Sequence, residues 1–330
     1  MDELLNLSNL TIQFETDNGL VHAVEGVSLD IKKGETLGLV GETGAGKTTT
    51  ALGILGLIQT PPGRIVSGEV EFMGQDLRKC SNSEMRKIRG AKISMIFQDP
   101  MTSLNPVQTV SKQIEEVIRL HQKTSRLEAV KRTAEMLELV GISPSRMNEY
   151  PHQFSGGMKQ RVVIAMALAC RPALLIADEP TTALDVTIQA QVLEIVRELK
   201  RELQTSMLMI THDLGIVAEI CDRVAIMYAG EIVEVGTLTD IYNHTRHPYT
   251  IGLFGSLPSM DKDVDRLHPI KGFMPDPSKE IAGCKFADRC DYCTSACFEQ
   301  HPELVSVSES HGVRCINWDT VRQGEGGGEK

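Results

Sequence analysis

The run Gly41-Glu42-Thr43-Gly44-Ala45-Gly46-Lys47-Thr48 sets glycines, a lysine and a hydroxyl at the spacing that cradles phosphate. Glycines let the backbone curl until several N–H groups face one anion. A helix opening at the lysine adds its positive end. Lys47 then acts as a point charge for phosphate oxygens, the Thr48 hydroxyl is a ligand for Mg²⁺, and Thr49 continues the cradle. A second chemical signal is the apolar run Ala173-Leu-Leu-Ile-Ala followed by Asp178-Glu179-Pro180. A buried strand ending in two carboxylates delivers Asp178 to a metal ion and sets Glu179 to polarise a water as general base. A third is Phe154-Ser155-Gly156-Gly157-Met158-Lys159-Gln160-Arg161, in which a serine and two glycines open a helix-forming stretch. That is another anion-binding helix start, or simply an N-cap with a flexible lead-in. One phosphate chain does not need two cradles, and a head-to-tail pair of chains, each lending one cradle to the other, accounts for both.

These side chains need elements to hold them. Leu5–Phe14 and Val27–Ile31 alternate in the manner of strands, the antiparallel part of the expected fold. A short apolar strand over Thr36–Val40 runs into the glycine-rich loop, and Thr48–Leu57 reads as the helix beyond it. Further strands are expected at Ile93–Phe97, Ala173–Ala177, Met207–Ile210 and Val224–Tyr228, with helical stretches between them. Strand alternating with helix predicts an α/β fold, a mostly parallel sheet covered on both faces. Between about Asp99 and Gln160 the pattern turns helical, with Leu127, Val130, Ala134 and Leu137 on one expected face. From Pro258 onward proline, charge and cysteine rise, which places a boundary near Gly255 and predicts domains at 1–255 and 256–322, with a disordered tail at 323–330.

Composition narrows the function classes. The 330 residues are 41% hydrophobic and 24% charged, with a formal net charge of -10. An acidic chain without a basic stripe does not suit sequence-independent nucleic-acid binding. No stretch reads as a spanning helix; the most apolar, Val162–Ala177, is broken at Arg171-Pro172. No secretory signal opens the chain, which predicts a cytoplasmic protein and only a peripheral membrane role. Five of the eight cysteines crowd together as Cys284-x5-Cys290-x2-Cys293-x3-Cys297-x17-Cys315. In a reducing compartment such spacing suggests a metal centre before disulfides, and spacing alone does not choose four of the five.

In combination, Gly41–Thr48, Gln98, Ser155–Gln160, Asp178-Glu179, Ala183-Leu184-Asp185 and His212 resemble the nucleotide-binding domains of ABC transporters. The likeness covers roughly the first 250 residues and implies a P-loop NTPase core with a helical subdomain at about 99–160. It implies an ATPase in which Gln98 touches Mg²⁺ and water and senses the transmembrane subunit, and His212 meets the γ-phosphate. Asp185 would lie at the dimer seam, and Ser155, Gly156 and Gly157 would reach the partner's ATP. Phe14 is the candidate adenine-stacking aromatic, with His22 as competitor. The usual Leu-Ser-Gly-Gly-Gln signature here reads Phe154-Ser-Gly-Gly-Met158, which keeps the serine and both glycines.

His247-Pro248-Tyr249-Thr250, the Cys-rich extension and Asp99-Pro100-Met-Thr-Ser-Leu-Asn105-Pro106 resemble, more narrowly, the ATP-binding subunits of bacterial oligopeptide and dipeptide importers. That group includes nickel and some sugar importers. The resemblance implies a second ATPase subunit, usually a paralogue, two permease subunits and an extracytoplasmic binding protein, with this chain at the cytoplasmic face of the membrane. It also implies a [4Fe–4S] cluster on Cys284, Cys290, Cys297 and Cys315, leaving Cys293 spare; structural zinc, with His301 or His311 replacing a thiolate, is the alternative. A soluble ABC ATPase acting on nucleic acid or ribosomes is the competing class, and the acidic charge speaks against it.

Overall fold

A computed structural model describes residues 2–17, 19–98, 100–181, 185–256 and 270–321. The expectations for Asp99, Ala183-Leu184 and the tail lie outside them. In chain order the elements begin β1 (Glu3–Thr16), β2 (Gly19–Lys32), β3 (Thr36–Val40), α1 (Lys47–Ile54), β4 (Gly63–Phe72), β5 (Gln75–Asp76), α2 (Asn82–Ile88) and β6 (Ile93–Ile96). There follow α3 (Pro100–Ser103), α4 (Val110–His121), α5 (Arg126–Leu139), α6 (Gly156–Leu168), β7 (Leu174–Asp178), α7 (Val186–Leu203) and β8 (Ser206–Thr211). The chain continues with α8 (Leu214–Ile220), β9 (Arg223–Tyr228), β10 (Glu231–Thr237), α9 (Leu238–Asn243), α10 (Pro248–Gly255), α11 (Ala296–Glu299), β11 (Val305–Ser306) and β12 (Gly312–Val313).

Contacts group these elements into two compact units, and the division does not fall at Gly255. The first unit comprises Met1–Leu5, Asp30–Thr36 and Glu71–Ile210. Its centre is the parallel run β6-β7-β8, registered by Ile93 opposite Leu174 and Asp178 opposite Ile210. Every residue of β7 and β8 is buried, as strands covered on both faces must be. The helical insert forms as expected, but its buried face does not. On α5 the residues turned inward are Ala129, Thr133, Met136 and Leu137, while Leu127 is 81% exposed. Ser125 caps the helix by accepting from the Glu128 N–H, so Leu127 sits in the first turn, beyond the stripe that packs on α4. α6 stops before Pro172, where the proline ring forbids a further turn.

The second unit comprises Asn6–Leu29, Leu37–Val70 and Thr211–Lys330. It holds the parallel pair β3–β9 and, beyond it, the antiparallel strands β10, β12 and β11. The C-terminal extension therefore returns to the cassette's own sheet: Val313 pairs with Glu234 and Gly312 with Val235. The link is polar as well as strand-like. Glu234 is fully buried, and its carboxylate accepts from the backbone N–H of Arg246 at 2.6 Å and of His247 at 3.2 Å, with His311 Nε2 2.8 Å away. His247 caps α10, its Nδ1 accepting from the Tyr249 N–H at 3.1 Å. That acceptor role requires the neutral ring.

Burial pushes the His247 imidazole down to about 4. The unfolded ring takes up its proton near pH 6.5, the folded ring only near 4, so stability held above pH 6.5 is lost as the pH falls through that window. Denaturant melts should show this loss, about 3 kcal/mol for the full swing, and His247→Gln should flatten the slope between pH 6.5 and 5.

Candidate functional site

The glycine-rich loop leaves β3 and enters α1 as the sequence predicts. Two of its glycines are required by space. A Cβ on Gly41 would come 2.1 Å from the Met227 carbonyl oxygen, and one on Gly46 would come 2.4 Å from the Ala23 carbonyl oxygen. Gly46 also holds φ +104°, as the residue before the first turn of α1. The Lys47 ammonium donates to the carbonyl oxygens of Gly41 at 2.7 Å and Glu42 at 3.0 Å, and the residue is buried. Thr43, Gly44 and Thr48 are exposed, Thr49 half-buried, and Ala45 is packed beneath, its carbonyl accepting from the Gly230 N–H.

Beside this loop lies a cavity of about 460 Å³, lined among others by His22, Glu25, Gly44, Met274, Pro277 and Lys285. Phe14 is not among its lining residues; its ring packs where a Cβ on Gly63 would fall, next to Ile58. His22 is held there, with its backbone N–H donating to the Pro277 carbonyl at 2.8 Å. Of the two aromatic candidates, His22 lines this cavity and Phe14 packs at Gly63. His212 lies between β8 and α8, and Asp213 beside it caps α8 by accepting from the Gly215 and Ile216 N–H groups.

In the first unit, Asp178 ends β7 and is 2% exposed. Glu179 follows at φ 46°, a left-handed conformation that costs a non-glycine residue energy and tends to survive at functional sites. Its N–H donates to the Ile210 carbonyl at 2.9 Å, which fixes it to β8. Its carboxylate accepts from Gln98 Nε2 at 2.9 Å. The structure thus joins Gln98 and Glu179, two residues 81 positions apart that the sequence flagged separately. Ser155 caps α6, its hydroxyl accepting from the Met158 N–H at 3.4 Å. Gly157 has a packing role that the sequence did not disclose: a Cβ there would lie 2.5 Å from Ile188 Cγ2 at the start of α7. Asp185 caps α7 by accepting from the Ile188 N–H at 2.9 Å.

The five extension cysteines are close enough to feel one another's charge. Burial, reinforced by neighbouring thiols, pushes Cys284 and Cys315 up to about 11 and Cys290 to about 12, and burial raises Cys293 as well. Burial opposes ionisation of Cys297 too, but hydrogen bonds from Thr294, Cys293 and Asn317 outweigh it and hold that thiol below its usual value. Among the described residues no three His, Cys, Asp or Glu side chains converge on a single-ion site. Thiolate donors suit zinc and iron–sulfur groups alike.

The chain matches the ABC transporter family over residues 24–182 and the C-terminal region of oligopeptide/dipeptide transporters over 233–297. It is 52% identical to the oligopeptide transport ATP-binding protein OppD of Bacillus subtilis, over 94% of this chain and 88% of that protein. It is 50% identical to the dipeptide transport ATP-binding protein DppD of the same organism, over 96% and 95%. Among solved structures, a dimeric ATP-binding cassette in a post-hydrolysis state with ADP and Pi superposes with a TM-score of 0.64 at 29% identity, over 71% of this chain and 99% of that one.

Gly41→Ala must push apart β9 and the phosphate loop, because its new methyl meets backbone rather than a side chain that can turn away. Thermal denaturation should show a loss of at least 1–3 kcal/mol, the order of an overpacked core, together with loss of fluorescent-ATP binding.

Proposed function

The chain belongs to the ABC transporter family, in its oligopeptide and dipeptide branch, and we propose that it is the ATP-hydrolysing motor subunit of a peptide importer, working with a second such subunit. The observation that carries the reading is the pair at the end of β7: a strained carboxylate, Glu179, with the Gln98 amide on it at 2.9 Å. Hydrolysis needs a base beside the attacking water, and this is a carboxylate fixed by main chain and side chain together.

In this reading N–H groups of the Gly41–Gly46 loop other than that of Glu42, together with the Lys47 ammonium, bind the β- and γ-phosphates, and His212 meets the γ-phosphate. Thr48, Gln98 and Asp178 would hold Mg²⁺, which supplies charge neutralisation on the phosphates. A water oxygen attacks the γ-phosphorus, its proton passes to Glu179, and the bond to the ADP oxygen breaks. Ser155, Gly156 and Gly157 close on the ATP of the second subunit, and Asp185 lies at that seam. ATP then shifts the pair from open to closed, and hydrolysis resets it.

The helical insert is the dock for a short cytoplasmic helix of one of two permease subunits. A hollow of about 470 Å³ is lined there by Gln108, Lys112, Glu115, Arg119, Leu120 and Arg126. Leu120 is 75% exposed, and Val107 and Leu127 are more so. Exposed apolar side chains rimmed by charge suit a short amphipathic helix of a partner. Among the described residues no helix is long and apolar enough to cross a membrane, so attachment at the cytoplasmic face runs through those permeases. An extracytoplasmic binding protein delivers the peptide. In the extension, Cys284, Cys290, Cys297 and Cys315 hold a [4Fe–4S] cluster with a structural role. The support is the short spacing of these thiols and the bond from the Cys284 N–H to the Cys297 carbonyl at 2.7 Å, which brings two of them together.

Glu179→Gln should bind ATP, lose turnover and accumulate as the closed dimer on gel filtration; near-normal turnover would remove Glu179 as the base. Protein purified without oxygen should be brown, with iron and acid-labile sulfide. Colourless protein with stoichiometric zinc rejects the cluster.

A further inference from the structure

The first variable residue of the phosphate loop, Glu42, is gripped at its side chain and at its backbone by residues from the far end of the chain. Its carboxylate faces Arg289 Nη1 at 3.1 Å, and its N–H donates to the Tyr249 hydroxyl at 2.9 Å. Its carbonyl accepts from Lys47 at 3.0 Å, so one residue links the extension to the phosphate-binding ammonium.

Arg289 is itself immobilised. Its side chain is 7% exposed, its Nε donates to the Lys271 carbonyl at 2.8 Å, and its Nη1 reaches the Tyr228 hydroxyl at 3.3 Å. The guanidinium lies over the rings of Tyr228 and Phe286, with centroids at 5.6 and 5.9 Å. Tyr228, Tyr249 and Phe286 pack on one another with centroids 4.6 to 5.5 Å apart. All three are buried. Arg289 also stands directly before Cys290, and Phe286 lies between Cys284 and Cys290. The extension touches the loop a second time, where the Met274 methyl would lie 3.3 Å from a Cβ on Gly44.

The geometry points to a clamp: Arg289 and Tyr249 are positioning residues that hold Glu42, and through it the curvature of the phosphate loop and the direction of Lys47, for ATP. Tyr249 is then more than part of a His-Pro-Tyr signature, because its hydroxyl receives a loop N–H. The Arg289 side chain is 7% exposed and that of Glu42 30%. Taking away Glu42 leaves a mostly buried guanidinium short of a partner, whereas a pair exposed on both sides would matter little. A planar fork that also stacks on aromatic faces is a task for arginine, which lysine performs only in part.

The inference rests on the reading of this loop as an ATP site, and the experiment separates the two. Equilibrium binding of a fluorescent ATP analogue is measured with the full-length chain, alongside steady-state ATPase kinetics and thermal melts. If the wild-type chain fails to bind the analogue, the ATP reading itself falls. If it binds, Arg289→Gln should weaken binding about tenfold, the scale of one lost charge-assisted hydrogen bond. KM should rise by a similar factor while kcat falls far less, since binding shared by ground and transition states is what is lost. Arg289→Lys should recover part of the affinity. Glu42→Gln should weaken binding as Arg289→Gln does, and the double substitution should do no worse than either alone, because both act through one contact. Tyr249→Phe keeps the ring and should weaken binding by several-fold. Unchanged affinity in a folded Arg289→Gln chain, or losses that simply add in the double variant, would overturn the clamp. Should Arg289→Gln fail to fold, Glu42→Gln and Tyr249→Phe decide alone: wild-type affinity in both overturns it.

Discussion

At Gly41 and Gly46 there is no room for a methyl group, because main-chain carbonyl oxygens of Met227 and Ala23 occupy the space. A loop squeezed in this way has few shapes available, and in the one it adopts Lys47 donates back into the loop's own carbonyls while the Glu42 N–H is held by the Tyr249 hydroxyl. A ligand that binds such a loop has little ordering entropy left to lose. The elements that flank the loop follow from that constraint. β3 is buried along its whole length, and β9, which supplies the Met227 oxygen, runs parallel beside it.

The extension belongs to the same economy. A Cys-rich stretch with short strands could dangle as a separate module, yet β12 pairs with β10, and the buried Glu234 collects main-chain and histidine groups at the junction. A buried carboxylate is costly unless every lone pair is answered; here the answers come from residues on both sides of the expected boundary. Lys285 extends the pattern, contacting Glu25, Glu231 and the Ala229 carbonyl. Together these contacts explain why Thr211–Lys330 groups with the phosphate loop.

Much of this was legible beforehand, for a physical reason. β3, β7 and β8 are short apolar runs whose ends carry the chemical groups, so pattern and motif coincide at Val40-Gly41 and Ala177-Asp178. The helical insert was legible as helix but not in its facing, because Leu127 is apolar and yet outside the stripe that Ala129, Thr133 and Met136 define. Distance along the chain gave no hint that the Phe14 ring packs at Gly63 while His22 lines the cavity beside Gly44. Arg289 carried no signal at all. A lone arginine in a cysteine-rich run reads as surface, and only the fold reveals that it lies against Tyr228 and Phe286 and pairs with Glu42.

The missing Cβ of Gly157 has a further consequence. With Ile188 Cγ2 filling its place, the first turn of α6 and the first turn of α7 mesh like a tooth in a notch, and Ser155 and Asp185 cap the two meshed ends. A side chain at position 157 would have to part the two helix starts, so the glycine is what lets the two capped ends lie in direct contact.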